Sequence, residues 1–167
     1  MRKNNGGMSF IEMILVIIII TILSTGGIAI YKSLGYANTK KAASHINNSL
    51  SRARIDTMSK RGMQYLYIYQ IDGRLYSKLS TEEGLSVGVY GELTDAEGTG
   101  YSSNISLKYK TDTGISHELE DNESISISFI KSSGAFATNY SELILESGNN
   151  SSVITCIKET GRHWVYN

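Results

Sequence analysis

Glu12 is the one charged side chain between Lys3 and Lys32, within the run Gly7-Met8-Ser9-Phe10-Ile11-Glu12. From Met13 to Tyr31, nineteen consecutive residues carry no charge. A charge in hydrocarbon costs roughly 2.5–3.5 kcal/mol at a helix centre, so a carboxylate in such a segment marks a functional position by default. The chemistry it suggests is proteolysis followed by ion pairing. A cut between Gly7 and Met8 makes Met8 a new amino terminus and places Glu12 fifth in the mature chain, one helical turn from a new positive charge. The doubled glycine, Gly6-Gly7, leaves a cut shifted by one residue as an alternative. A secretory signal peptide cut after Ser24-Thr25-Gly26 and a plain single-pass anchor are the competing readings. Neither accounts for Glu12 near the start of an apolar core, and a glycine placed before that core does not suit a signal peptide.

Elsewhere the residue types that do chemistry are dispersed. His45, His117 and His163 share no neighbouring nucleophile or acid in sequence, and the serines follow no nucleophile motif. No enzymatic activity, metal site or cofactor is expected. The acidic stretches Glu92–Gly98 and Glu118–Glu123 offer oxygen ligands, but neither has the spacing of a known calcium loop; they read as solvated turns. Cys156 is the only cysteine, which excludes an intrachain disulfide. It stands in the alternation Val153-Ile154-Thr155-Cys156-Ile157 and is expected to be a small buried residue.

The elements that must position Glu12 follow from the periodicity. Met13–Tyr31 as a helix spans roughly 28 Å, about one hydrocarbon core. Arg2 and Lys3 favour a cytoplasmic amino terminus, with everything beyond Lys32 extracytoplasmic. Gly26 and Gly27 each weaken a helix by roughly 1 kcal/mol relative to Ala, making them candidates for local melting or for close packing. The helix is expected to continue to Arg61, because Ala43, Ile46, Leu50, Ala53 and Thr57 recur at spacings of three and four. Gly62 is the stop, after Lys60 and Arg61. The period then becomes two. Strands are expected at Gln64–Ile71 and Arg74–Leu79, joined by a hairpin turn at Asp72-Gly73. Further strands are expected at 85–90, 105–110, 124–130, 143–146, 152–158 and 163–166. The fold class expected is α+β: a long N-terminal helix, transmembrane in its first half and amphipathic in its second, packed on an antiparallel sheet.

The leader ending in Gly7, the apolar Met8, Glu12 at mature position five and the apolar run behind it together resemble the N-terminal signature of type IV pilins and pseudopilins. In that family a membrane-embedded prepilin peptidase cleaves after the glycine and methylates the new amine. The resemblance implies cleavage at Gly7–Met8, N-methylation of Met8 and an assembly role for Glu12. This signature covers about 25 residues. The rest is more loosely similar to minor pseudopilins of the H type: Leu50–Gly62 as the helix end, Ile127-Ser128-Phe129 with Ser133-Gly134 as a strand–glycine step, and Ile154–Lys158 followed by Thr160-Gly161-Arg162 as the final strand and Thr-Gly-Arg ending. The resemblance implies a pilin-like fold and a structural subunit of a type IV pilus, a type II secretion system or a competence filament. Its implied partners are prepilin peptidase, other pilin or pseudopilin subunits, the membrane and, indirectly, a platform protein and an ATPase. Its implied course is a single-pass precursor in the cytoplasmic membrane, then an extracellular or envelope filament. The segments are a leader at 1–7, an assembly helix at 8–31, an amphipathic helix at 32–62 and a β-rich domain at 63–167.

A runner-up is a filament-tip binding module. Some relatives take up DNA through a basic C-terminal tail; Gly161-Arg162-His163-Trp164 matches only the first arginine of one, with Trp164 placed to stack on a base. Base–aromatic stacking is worth roughly 1–3 kcal/mol per base. Charge argues against it. Lys32 to Arg61 holds seven basic residues against Asp56 alone, whereas the chain from Gly62 holds seven basic against fourteen acidic. Loss of Arg2 and Lys3 leaves 14 basic against 16 acidic residues, a net of −2. Phosphate binding needs a basic patch, which this domain's composition does not supply.

Overall fold

The computed structural model describes residues 9–59, 62–88, 93–95 and 98–166, with the side chains of 23–34 outside that description. The chain divides into two compact units, Met1–Leu34 and Gly35–Asn167. Helix α1 is Phe10–Ser59. In the first unit the side chains from Phe10 to Ile22 are exposed.

Among the described residues no helix is long and apolar enough to cross a membrane. This overturns the expected transmembrane half and, with it, the expected single-pass membrane precursor.

The expected fold class is corrected as well. The second unit is dominated by β structure arranged as two separate antiparallel sheets, where a single sheet under a half-transmembrane, pilin-like helix was expected. The strands are β1 (Tyr65–Ile71), β2 (Arg74–Ser80), β3 (Thr99–Gly100), β4 (Ser106–Thr111), β5 (Ser116–Glu118), β6 (Ser124–Ser128), β7 (Tyr140–Ser147), β8 (Asn150–Ile157) and β9 (Arg162–Tyr166). The first sheet has the order β3-β2-β1-β6 and the second β5-β4-β7-β8-β9. The reason lies in the pairing. Both edges of β1 are taken, by β2 from Tyr65↔Ser80 to Ile71↔Arg74 and by β6 from Tyr65↔Ser128 to Tyr69↔Ser124. The strands of the second sheet build around β7, which pairs β4 on one side and β8 on the other.

The main core joins α1 to both sheets. Ala43, Ile46, Leu50 and Ala53 are fully buried, in one cluster with Leu66, Ile68 and Ile127 of the first sheet and Leu107, Leu143, Leu145 and Ile154 of the second. Each large aliphatic side chain so buried contributes about 1.5–3 kcal/mol relative to exposure. Thr57 continues the helix stripe and accepts the Gln64 amide at 3.0 Å, tying the helix end to β1.

A second cluster covers the other face of the first sheet: Tyr65, Tyr67, Tyr69 and Tyr76 under Leu85 and Leu93. The Tyr67 hydroxyl donates to the Glu82 carbonyl at 2.9 Å and the Tyr69 hydroxyl to the Thr94 carbonyl at 2.7 Å. The strand expected at 85–90 is therefore corrected among the described residues to an isolated bridge, Val87↔Leu93. Leu85 and Leu93 plug the tyrosine face and add no strand to the sheet. The Asp72-Gly73 turn has φ of 50° and 69° at its two residues, the pair of positive values a two-residue type I′ hairpin requires.

Candidate functional site

The helix that carries Glu12 begins at a serine. The Ser9 carbonyl accepts the amides of Glu12 at 2.9 Å and Met13 at 3.2 Å, and the Ser9 amide donates to Glu12 Oε2 at 2.9 Å. The first amides of a helix have no intrahelical acceptor, and a glutamate three residues after a serine reaches back to the amide preceding the helix. The carboxylate also sits at the positive end of the helix dipole. Ser9-x-x-Glu12 is thus half of a capping box. The Ser9-x-x-Glu12 spacing alone signals this second role. Gly7 and Met8 lie outside the described residues. Gly26 and Gly27 lie within α1.

Arg162 and Trp164 belong to the second unit. Strand β9 alternates exposed and half-buried residues, so Arg162, Trp164 and Tyr166 share its outer face. Trp164 is 45% exposed. Beside them on β8, in register, are Val153 opposite Tyr166, Thr155 opposite Trp164 and Ile157 opposite Arg162. The cations further along this sheet are engaged: Lys108 with Glu146 and Lys110 with Glu142, each at 2.7 Å. The Glu146 carboxylate raises the Lys108 pKa. The face offers two aromatic side chains and one arginine, with the lysines of β4 on the same sheet already paired.

The inner side of β9 is built differently. His163 Nε2 lies 2.9 Å from Ser51 Oγ, its Nδ1 lies 3.1 Å from the Gly161 carbonyl, and its ring is close to Phe129 and Phe136. Burial lowers its pKa, only partly opposed by the hydrogen bonds. Arg54 completes the seam. Its Nε donates to the Gly134 carbonyl and its Nη2 to the Thr160 carbonyl, both at 2.9 Å. Gly161 has φ of 64°, and a Cβ there would run into the Gly134 carbonyl. Sequence spacing gave no sign of this clamp.

Cys156 is 6% exposed, and burial pushes its thiol up to about 12. It is a core residue with no nucleophilic character. Among the described residues no three His, Cys, Asp or Glu side chains are grouped to hold a metal.

A third feature surrounds His45. A cavity of about 400 Å³ lies between α1 and β2, with His45, Ser49 and Arg52 on one wall and Ser77 and Lys78 on the other. His45 Nδ1 is 2.8 Å from the Tyr101 hydroxyl, which is 2.6 Å from Ser77 Oγ. Burial pushes the Tyr101 hydroxyl up to about 12, so it stays protonated.

No protein-family model matches this chain, nor does any curated protein or solved structure.

Proposed function

We propose that this chain is a structural subunit of a helical filament, a minor pilin or pseudopilin, cut between Gly7 and Met8 and assembled through its N-terminal helix. The observation that carries the reading is Glu12: a lone carboxylate in the first turn of α1, at the fifth position of the proposed mature chain. Its Oε2 holds the Ser9 amide, one residue from the proposed new amine. A carboxylate has further lone pairs to offer. It pairs with the Met8 amine, its own or a neighbour's, which lowers the cost of burying either charge and sets the register of addition. The exposed apolar side chains from Phe10 to Ile22 support the same reading, since subunit packing would remove them from water. Shearing surface filaments from cells and detecting this chain in the sheared fraction tests the proposal. Its absence from filaments that other subunits still form would count against it.

The tip-module reading draws support from Arg162, Trp164 and Tyr166 on one exposed strand face. It takes second place because Arg162 stands without a basic patch: the lysines of β4, on the same sheet, are paired with Glu142 and Glu146.

A further inference from the structure

The charge asymmetry along the chain has a three-dimensional counterpart. The 400 Å³ cavity beside Arg52 adjoins a second one of about 240 Å³, which shares His45 and Thr99 with it and adds Lys41. Among the described residues no carboxylate lines either cavity. The His45–Tyr101–Ser77 hydrogen bonds hold the shared wall in place. The result is a groove with Lys41 and Arg52 along its helix wall and hydroxyl groups on its other side.

Elsewhere on the same unit the turn from Glu118 to Glu123 is a rigid acidic knob. Leu119 is buried and its amide donates to the Leu107 carbonyl at 2.9 Å. The Asn122 amide donates to the Gln70 carbonyl at 2.9 Å, the Gln70 amide to the Glu123 carbonyl at 3.1 Å, and the Gly73 amide to Asp121 Oδ1 at 3.0 Å. Glu118, Glu120, Asp121 and Glu123 are all exposed on this anchored frame. The knob needs no ordering before it docks, which removes one cost of association.

We infer that the groove of one copy receives the acidic turn of the next, with Glu120 and the carboxylates beside it spread along the wall from Lys41 to Arg52. The inference rests on the filament reading and deepens it. Groove and knob are different surfaces, so the contact is heterologous, and heterologous contacts that do not close into a ring propagate as helices. Complementary charge fixes register and speeds encounter more than it adds affinity.

The test uses the full chain in sheared filaments. Arg52→Cys and Glu120→Cys are introduced on one chain and treated with a short bis-maleimide; chains with one introduced cysteine control for Cys156. A ladder of dimers and higher species is expected from the double variant. An equal mixture of the two single variants should stop at dimers, and neither single variant alone should cross-link. In a paired series with Lys41→Cys in place of Arg52→Cys, Arg52→Glu should lower the yield about tenfold through like charges facing each other. A reversal on the knob at Glu118→Lys, which leaves the Asp121 anchor in place, should restore part of it. Filaments that contain the double variant without any cross-link would overturn this inference and leave the filament reading standing. Dimers alone from the double variant, which mark a two-fold contact, or cross-links only to a different protein, would also overturn it. Absence of the chain from filaments would overturn both.

Discussion

Glu12 Oε2 accepts the amide hydrogen of Ser9 at 2.9 Å, so the residue that singles out this chain also closes the start of its own helix. The two roles are separable. A helix cap needs an acceptor at this position, which glutamine supplies as well as glutamate. An ion pair with an amine needs the charge.

Glu12→Gln should therefore keep the first turn of α1 and leave cleavage intact, yet lower incorporation into filaments nearly as far as Glu12→Ala. Quantifying each variant in sheared filaments against total cellular protein checks this. Full incorporation of Glu12→Gln would assign the residue to capping alone.

Arg54 should matter to stability beyond its surface location. It holds the Gly134 and Thr160 carbonyls on the two sides of a tight backbone approach. Hydrogen bonds from charged donors are worth about 1.5–3 kcal/mol each, less where solvent reaches them. Arg54→Ala is expected to cost about 2 kcal/mol in urea unfolding. Gly161→Ala should cost more, because the left-handed φ and the Gly134 carbonyl both oppose a side chain there. A neutral Gly161→Ala would show that the seam relaxes freely.

His163 should make the fold sensitive to mild acid. Burial lowers its folded pKa below the ordinary histidine value of about 6.5. The unfolded chain then binds the proton more readily than the folded one, so stability rises with pH between the two values. It is complete above about 6.5 and falls as pH drops through the folded pKa. The melting temperature is expected to decline from pH 7 to pH 5, with a smaller decline in His163→Gln. Equal slopes in the two proteins would remove His163 as the cause.

Nucleic-acid binding by β9 should be weak. Duplex DNA titrated at low salt is expected to show no steep salt dependence, since Arg162 acts without a basic patch. Tight binding lost in both Arg162→Ala and Trp164→Ala would move the tip-module reading ahead.

Local pattern made much of the β domain legible. The alternation after Gly62 and the Asp72-Gly73 pair correspond to β1, β2 and their hairpin. Ala43, Ile46, Leu50 and Ala53 were marked by spacing and are buried. The short strands β3 and β5 were not legible. Thr99-Gly100 and Ser116–Glu118 carry no apolar alternation, and pairing with β2 and β4 alone makes them strands. The apolar residues near Leu85 misled for the opposite reason, since their partners are tyrosine rings on the second face of β1. Arg54 lies 80 and 106 residues from its two acceptors, beyond any spacing rule. The charge-free run from Met13 to Tyr31 suggested a membrane span that the described helix does not provide. Glu12 stood out because one carboxylate in an apolar run is costly wherever that run is buried.

The central claim is that Gly7–Met8 is a cleavage site and Glu12 the fifth residue of the working chain. Mass spectrometry of the mature amino terminus from the native host tests it most directly. The account predicts a chain beginning at Met8, with a methylated amine, and a Gly7→Val variant that keeps its leader. A mature chain that retains Met1, or one that starts at Gly27, would contradict it.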